Sequence, residues 1–146
     1  MVPGTITTSP CTYTVKSKEM MEFARKWDPL DMHTDEALAA ASPMKCLTAS
    51  SRYTMAVSSW LLNRMDPMLR VTAMFGMEAV RLPRPVLPDD VLSICSTVLE
   101  QGLESSKRRD QGVLKLHVQV LKQGGKVVLE WEERVLVQRK QPQPKL

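Results

Sequence analysis

The chain has 146 residues and a mass of 16.5 kDa, about the size of one domain, which excludes a two-domain enzyme with a separate cofactor domain. Its composition of 43% hydrophobic and 25% charged residues is near the globular average and excludes wholesale disorder. The formal net charge is +4, but Arg139, Lys140 and Lys145 supply three of those charges, which leaves +1 for the rest. The charge therefore gives no case for a nucleic-acid-binding face.

Cysteine and histidine are too few and too widely spaced for a structural metal site or a disulfide framework. Cys11, Cys46 and Cys95 show no CxxC spacing, and there are only two histidines. No apolar run approaches the ~20 residues of a membrane span, and the first 18 residues lack a signal-peptide pattern. We therefore expect a soluble, intracellular protein without a membrane partner.

The first part of the chain predicts two helices on either side of a polar turn. After a β-like stretch at 12–15, Ser17 is expected to cap a helix whose apolar stripe ends at Asp28-Pro29. A polar turn then leads from Asp28 to His33. Thr34 is the expected cap of a second, Ala-rich helix that ends at Ala41, before Ser42-Pro43.

The next stretch predicts the one long helix, over about 51–65. Its apolar residues recur at helical spacing, which indicates the most buried helix of the chain: Tyr53, Ala56, Val57, Trp60, Leu61 and Met65.

The second half predicts four antiparallel strands. The strands are expected at 71–82, 91–99, 113–121 and 127–137. Gly124-Gly125 is a strong hairpin signal, and the connections are too short for helical crossovers. We therefore predict an α+β fold in which a four-stranded meander packs one face against the long helix.

A long helix wrapped by a curved antiparallel sheet is the hotdog arrangement, and the local sequence resembles the MaoC-like hydratase family. Five segments resemble family motifs in the same order, spread over about 20–138: Phe23-Ala24, the Asp28-Pro29-Leu30-Asp31-Met32-His33 turn, Thr34 to Ala41, Leu47-Thr48-Ala49-Ser50-Ser51, and Arg84-Pro85-Val86-Leu87-Pro88-Asp89-Asp90. The resemblance implies one hotdog domain over 1–138, followed by a Pro/Gln-rich basic tail over 139–146.

Asp28 and His33 are the carboxylate and imidazole that sit close together in sequence between two helices. Adding water across an α,β-unsaturated thioester requires that water lose a proton and that the α-carbon gain one, which a carboxylate and an imidazole sharing one water can do. The resemblance implies these roles for Asp28 and His33. From the residues alone an alternative stays open, because Asp before Pro is a common helix stop and His33 could help to cap the next helix.

The start of the long helix is the expected donor to the thioester oxygen, because helix N-termini carry free N–H groups. The resemblance implies that Ser51, Ser50 and Ala49 bind the oxyanion and substrate. Where the family usually has glycine this chain has Ser51, and Lys45-Cys46 replaces a glycine pair. If a glycine there served a positive φ, serine would strain the site; Ser51 as an ordinary N-cap is the simpler alternative.

Three functions are compatible with this pattern. The first is an (R)-specific enoyl-thioester hydratase or 3-hydroxyacyl-thioester dehydratase of fatty acid metabolism, with coenzyme A or acyl carrier protein as part of the substrate and no metal or redox cofactor. The second is a hotdog thioesterase, and the third is a non-catalytic hotdog subunit. The resemblance also implies a homodimer, since a single sheet leaves an edge exposed.

The last three residues, Pro144-Lys145-Leu146, differ from the peroxisomal signal Ser-Lys-Leu only at the first position. They predict either an address to a peroxisome-type organelle or, where this match is fortuitous, a cytosolic or mitochondrial location.

Overall fold

The computed structural model describes residues 1–102 and 110–139. Helices and two short strands occupy the first half and longer strands the second. In chain order the elements are β1 (Ile6–Thr8), β2 (Tyr13–Thr14), α1 (Ser17–Trp27), α2 (Asp31–Thr34), α3 (Glu36–Ala41), α4 (Ser51–Leu62), β3 (Val71–Arg81), β4 (Val91–Gly102), β5 (Gln111–Lys122) and β6 (Lys126–Gln138). The predicted address at 144–146 lies outside the described residues and stays a prediction.

The helices lie where they were expected, but their caps differ from the prediction. Ser17 is the first residue of α1, and Lys16 occupies the N-cap without a side-chain hydrogen bond. The predicted turn after Asp28-Pro29 contains the four-residue helix α2, in which Thr34 is the last residue. Asp35 therefore caps α3, where its side chain accepts a 2.9 Å hydrogen bond from the Leu38 N–H.

Helix α4 is the long helix, and it ends at Leu62 rather than near Met65. Its N-cap is Ser50, whose side chain accepts from the Arg52 N–H, so Ser51 is not the cap but the first helical residue. Tyr53, Val57 and Leu61 form its buried stripe.

The sheet is antiparallel as predicted, but it is not a four-stranded meander. Its order is β1-β4-β5-β6-β3, and β2 also pairs with β4. Only β4, β5 and β6 form a meander, while β3 lies beyond β6 at the far edge. The connection over 82–90 contains Pro83, Pro85 and Pro88, which favour an extended chain that crosses the sheet instead of a tight hairpin.

The core lies between α4 and the inner face of the sheet. Leu114, Leu116, Val118 and Val120 alternate with polar residues along β5, and all four point inward and are buried. On β6, Trp131 and Val135 face the same way. This long helix against a curved antiparallel sheet confirms the predicted hotdog fold.

Strand β3 is the exposed edge of the sheet. All 11 of its residues are exposed, including the large apolar side chains of Val71, Met74, Phe75, Met77 and Val80. It hydrogen-bonds to β6 on one side only. An edge strand with apolar side chains on both faces is typical of a surface that another chain covers.

Within the described ranges, no helix is long and apolar enough to cross a membrane.

Candidate active site at the start of the central helix

His33 is held by the loop that leads into α4. Its side chain is buried, and Nδ1 lies 2.7 Å from the Thr48 carbonyl oxygen and 3.2 Å from Thr48 Oγ1. The Thr48 N–H in turn donates to the Met32 carbonyl oxygen at 3.2 Å. Because a carbonyl oxygen can only accept, Nδ1 carries the hydrogen, and Nε2 of the neutral ring is then free to accept a proton.

Asp28 is held by the same loop, through Ser50, which lies two residues after Thr48. The Ser50 hydroxyl donates a 2.6 Å hydrogen bond to Asp28 Oδ2, and Ser50 Oγ accepts from the Arg52 N–H at 3.1 Å. The backbone of Asp28 ends α1, where its N–H donates to the Ala24 carbonyl oxygen. One carboxylate oxygen is thus fixed by a hydroxyl that the first turn of α4 orients, and Oδ1 remains for another donor.

The segment 48–50 therefore connects both candidate catalytic residues to α4. Thr48 holds His33, and Ser50 holds Asp28, although the two lie five residues apart across a proline-containing turn. The short helix α2 begins at Asp31 and places His33 in its second half. An acceptor nitrogen and a carboxylate oxygen anchored on one short segment form an arrangement that can bind and deprotonate a water molecule.

The start of α4 offers N–H groups that no acceptor of the described residues contacts. The first N–H groups of a helix have no acceptor within the helix, and that of Arg52 is taken by the Ser50 side chain. The Ala49 N–H donates to the Val86 carbonyl oxygen at 2.8 Å, so it is not available to a ligand. Among the described residues no acceptor contacts the Ser51 N–H, which leaves it as the candidate donor to a substrate oxygen.

The backbone shows which of the replaced family glycines stand at a left-handed position. Among the described residues, three other than glycine have positive φ, namely Lys45 (59°), Ala79 (52°) and Asp89 (67°). Lys45 belongs to the Lys45-Cys46 pair that replaces the glycine pair, and Asp89 lies in the segment from Arg84 to Asp90. Ser51 is not one of the three, so a serine there imposes no left-handed strain on the start of α4.

Asp90 stabilises the loop that contacts the segment before α4, and its role was not predicted from the sequence. Its buried carboxylate accepts from the Leu87 N–H (2.8 Å), from Gln123 Nε2 (2.6 Å) and from Lys122 Nζ (3.3 Å). Burial alone would raise the pKa of Asp90, but these hydrogen bonds and the Lys122 charge outweigh it and hold the pKa below its usual value. The loop that Asp90 fixes includes Val86, which binds Ala49.

A cavity of about 740 Å³ lies along the C-terminal half of α4, over the inner face of the sheet. Met55, Ser58, Ser59 and Leu62 line it from the helix. These residues follow Ser51 at intervals that keep them on the same helical face. On α4 the lining therefore begins at Met55, about one turn beyond Ser51 and on the same helical face.

Glu133 lies in this cavity and was also missed in the sequence. Along β6, Glu130, Glu132 and Arg134 face outward, and the alternation of the strand puts Glu133 on the inner face beside Trp131 and Val135. Trp131 Nε1 donates to Glu133 Oε2 at 2.7 Å. Burial raises the pKa of Glu133, and the hydrogen bond from Trp131 only partly opposes this effect.

Two further side chains with reactive groups, Cys46 and His117, lie outside this site. Cys46 is exposed, and its Sγ contacts the Met44 carbonyl oxygen. His117 lies on the outer face of the sheet, where it is partly exposed and its Nε2 lies 3.2 Å from Glu130 Oε2. Among the described residues, no hydrogen bond joins either side chain to Asp28 or His33.

Comparison with known proteins identifies relatives of nearly the full chain. Residues 2–120 match the family described as MaoC like domain. The uncharacterized protein YdeM of Bacillus subtilis is 31% identical over 129 residues, which cover 86% of this chain and 87% of that protein. The crystal structure of a MaoC-like dehydratase from Rhodospirillum rubrum has a TM-score of 0.84 and 27% identity, covering 97% of this chain and 96% of that one. An (R)-hydratase from A. caviae shares the fold, with a TM-score of 0.69 at 19% identity, covering 96% of this chain and 98% of that one.

Proposed function

We propose, from the premise that this chain belongs to the MaoC-like domain family, that it adds water to, or removes it from, an acyl thioester at the site formed by Asp28, His33 and Ser51. The observation that carries the proposal is the hydrogen-bonding of the two side chains. His33 Nδ1 is fixed on Thr48 and Asp28 Oδ2 on Ser50, so both keep a free acceptor atom beside the same segment.

In the hydration direction His33 and Asp28 hold one water molecule. Asp28 Oδ1 accepts a hydrogen bond from one O–H of the water and so orients the water oxygen. His33 Nε2 takes the proton of the other O–H while the water oxygen bonds to the β-carbon. The proton then returns from the dyad to the α-carbon, so the net change is the addition of one water molecule. Dehydration is the reverse of these steps.

Negative charge collects on the thioester oxygen during this step, and the Ser51 N–H at the start of α4 stabilises it. A free N–H at a helix N-terminus is a suitable donor, because the peptide dipoles of the helix add to the hydrogen bond. The donor is a backbone group, so it does not depend on the glycine that the family usually has at this position.

The acyl chain of the substrate runs from Ser51 along α4 into the cavity. The shared helical face of Ser51, Met55 and Leu62 supports this path. Methionine side chains suit such a lining, because their unbranched thioethers adapt to apolar ligands of different shape. Met55, Met68 and Met74 all line the cavity.

The finer assignment is an (R)-specific enoyl-thioester hydratase or 3-hydroxyacyl-thioester dehydratase, with coenzyme A or acyl carrier protein as carrier. The family motif at Asp28 to His33 supports this specificity. The protein acts as a homodimer in which the exposed strand β3 of each chain is covered by the other, and the apolar side chains of Met74 and Phe75 support this arrangement.

The experiment that tests this function measures two products from one thioester. Purified protein is incubated with short-chain and long-chain trans-2-enoyl-CoA, and the loss of the conjugated enoyl absorbance is recorded beside the release of free thiol. We expect loss of absorbance without thiol release, and the same result with Asp31→Asn as a control, since the Asp31 side chain is exposed. Thiol release with the enoyl group intact would indicate a thioesterase. The absence of both reactions would favour a non-catalytic subunit.

A further inference from the structure

Glu133 is an acidic side chain on a face of the sheet whose other residues are mostly apolar. Its side chain is 7% exposed, and its cross-strand neighbours are Leu116 on β5 and Met77 on β3. The positions before and after it on the inner face hold Trp131 and Val135. An apolar residue would continue this pattern, so a carboxyl group here needs a reason beyond packing.

The protein satisfies only part of the hydrogen-bonding capacity of this carboxyl group. Within the described ranges, the Trp131 indole is its one hydrogen-bond donor, on Oε2, and no salt bridge includes Glu133. No fully buried side-chain oxygen or nitrogen of the described residues lacks a partner. Oε1 is therefore in contact with accessible space, and the space that Glu133 lines is the cavity along α4.

Two hydroxyl groups add to the polarity of the same cavity. Ser58 of α4 and Ser96 of β4 are both buried and both line it. Ser58 Oγ donates to the Met55 carbonyl oxygen at 2.6 Å, which leaves its lone pairs free to accept. The cavity lining thus combines apolar side chains with the carboxyl group of Glu133 and with polar side chains that include these two buried hydroxyls, as a site does when it recognises a polar group on an apolar ligand.

We propose that this cavity binds an acyl chain that carries a hydroxyl group remote from the thioester, and that Glu133 is the specificity-determining residue that hydrogen-bonds to this hydroxyl. The inference rests on the proposed function for the acyl identity of the ligand, and it goes further by assigning the substrate class. A hydroxyl can donate a hydrogen bond to Oε1, whereas a plain alkyl chain would leave Oε1 without a partner.

A hydroxyl group fits the surroundings of Glu133 better than a cation does. Burial raises the pKa of Glu133, which means that the apolar surroundings oppose a full charge on this carboxyl group. A neutral hydroxyl adds a hydrogen bond without adding a second buried charge.

The inference is tested first by binding, without turnover. Saturated acyl-CoA esters, which have no double bond to hydrate, are titrated calorimetrically into the protein in short, medium and long chain lengths, each with a terminal methyl or a terminal hydroxyl group. We expect the hydroxylated ester to bind about tenfold to a hundredfold more tightly at the chain length that reaches Glu133. Equal or weaker binding of the hydroxylated ester at every length would overturn the inference.

Substitutions of Glu133 assign the preference to this side chain. Glu133→Gln keeps a hydrogen-bonding group for both Trp131 and the ligand, so we expect it to retain most of the preference. Glu133→Met has similar length without polar atoms, and it should abolish the preference or reverse it. Val135→Leu, an apolar change in the same cavity, is the control and should leave the preference intact. A preference that persists in Glu133→Met would contradict the role of Glu133.

Failure of this inference and failure of the proposed function give different results. If no enoyl-CoA is hydrated but the hydroxylated saturated ester still binds more tightly, the function is wrong and the specificity of the cavity stands. If trans-2-enoyl-CoA is hydrated while the methyl-terminated and hydroxyl-terminated esters bind alike, the function stands and the role of Glu133 is wrong.

Discussion

Ser50 and Asp28 are linked by a hydrogen bond of 2.6 Å, in which the hydroxyl of the α4 N-cap donates to the carboxylate that follows α1. The same hydroxyl oxygen accepts from the Arg52 N–H. One fully buried serine therefore begins the central helix and also fixes the carboxylate of the proposed catalytic pair. A substitution of Ser50 should therefore change both the free energy of unfolding and kcat, and the two effects can be measured separately.

Ser50→Ala should lower both stability and activity. Loss of the cap costs about 1 kcal/mol in the free energy of unfolding. The loss of the donor to Asp28 Oδ2 should also lower kcat by about tenfold, because Asp28 can then turn away from the water molecule. Urea unfolding and enoyl-CoA hydration measure the two effects.

Asp35→Ala is the matched control for Ser50. Asp35 caps α3 by accepting from the Leu38 N–H, but it contacts neither Asp28 nor His33 through its side chain. We expect a similar loss of about 1 kcal/mol in unfolding free energy with kcat unchanged. If Asp35→Ala lowers kcat as much as Ser50→Ala does, the loss of activity follows from reduced stability and not from the Ser50 contact.

Glycine should stabilise the chain at Lys45 and Asp89 but not at Ser51. Lys45 and Asp89 have φ of 59° and 67°, a conformation that costs an L-residue about 1 kcal/mol and glycine almost nothing. Lys45→Gly should therefore raise the midpoint of urea unfolding. Ser51→Gly places a flexible residue in the first turn of a helix whose backbone needs none, so it should lower stability slightly and leave kcat unchanged.

A rise in kcat for Ser51→Gly would mean that the serine side chain obstructs the substrate. Lys45→Val serves as the opposite control to Lys45→Gly, because a β-branched residue is strongly disfavoured at positive φ. Its stability should fall below that of the unsubstituted protein.

We expect the free energy of unfolding to decrease in acid as Asp90 becomes protonated. Its folded-state pKa is below the unfolded value of about 3.9, so its contribution to stability is present above that pH and is lost as the pH falls through the folded-state pKa. Asp90→Asn should cost about 1–3 kcal/mol at neutral pH, and its deficit should shrink below pH ~3.9.

Asp89→Asn is the control for this pH dependence. The Asp89 carboxylate is exposed and contacts Lys16 Nζ at 3.3 Å, and asparagine tolerates its positive φ. Its effect on stability should stay small at every pH, because exposed ion pairs contribute little. A deficit of Asp90→Asn that is unchanged down to pH 2 would contradict the ionic role of Asp90.

The exposed edge at β3 predicts a homodimer. Sedimentation at micromolar concentration should give twice the chain mass. Phe75→Lys puts a charge on the apolar edge and should produce monomers, whereas Ile6→Lys, on the exposed strand β1 at the opposite edge, should remain dimeric. An unsubstituted protein that is monomeric and fully active would show that β3 is not the dimer interface.

Local signals in the sequence predicted most elements of this fold but not their spatial order. The alternation in β5 and the glycine pair after it depend on nearest neighbours, so both are visible in the sequence. The position of β3 beyond β6 depends on where a chain of nine residues crosses the sheet, and proline content alone does not specify a partner strand.

The candidate site was predictable where a motif fixes residue type and spacing. Asp28 and His33 follow from the turn between two helices. The roles of Thr48 and Ser50 did not follow, since they depend on contacts 15 and 22 residues away along the chain. Glu133 was missed because three charged neighbours on the outer face obscured that it belongs to the inner one.

The double substitution of Asp28 and His33 tests the central claim most directly. If both side chains hold one water molecule, Asp28→Asn and His33→Ala should each lower kcat for enoyl-CoA hydration by about 10² or more, and the double variant should lose little beyond the worse single variant. Asp31→Asn and His117→Ala should stay within about tenfold, because neither contacts this water. A loss of kcat in the double variant that equals the product of the two single losses would contradict the shared water and with it the proposed mechanism. Full activity in His33→Ala would do the same.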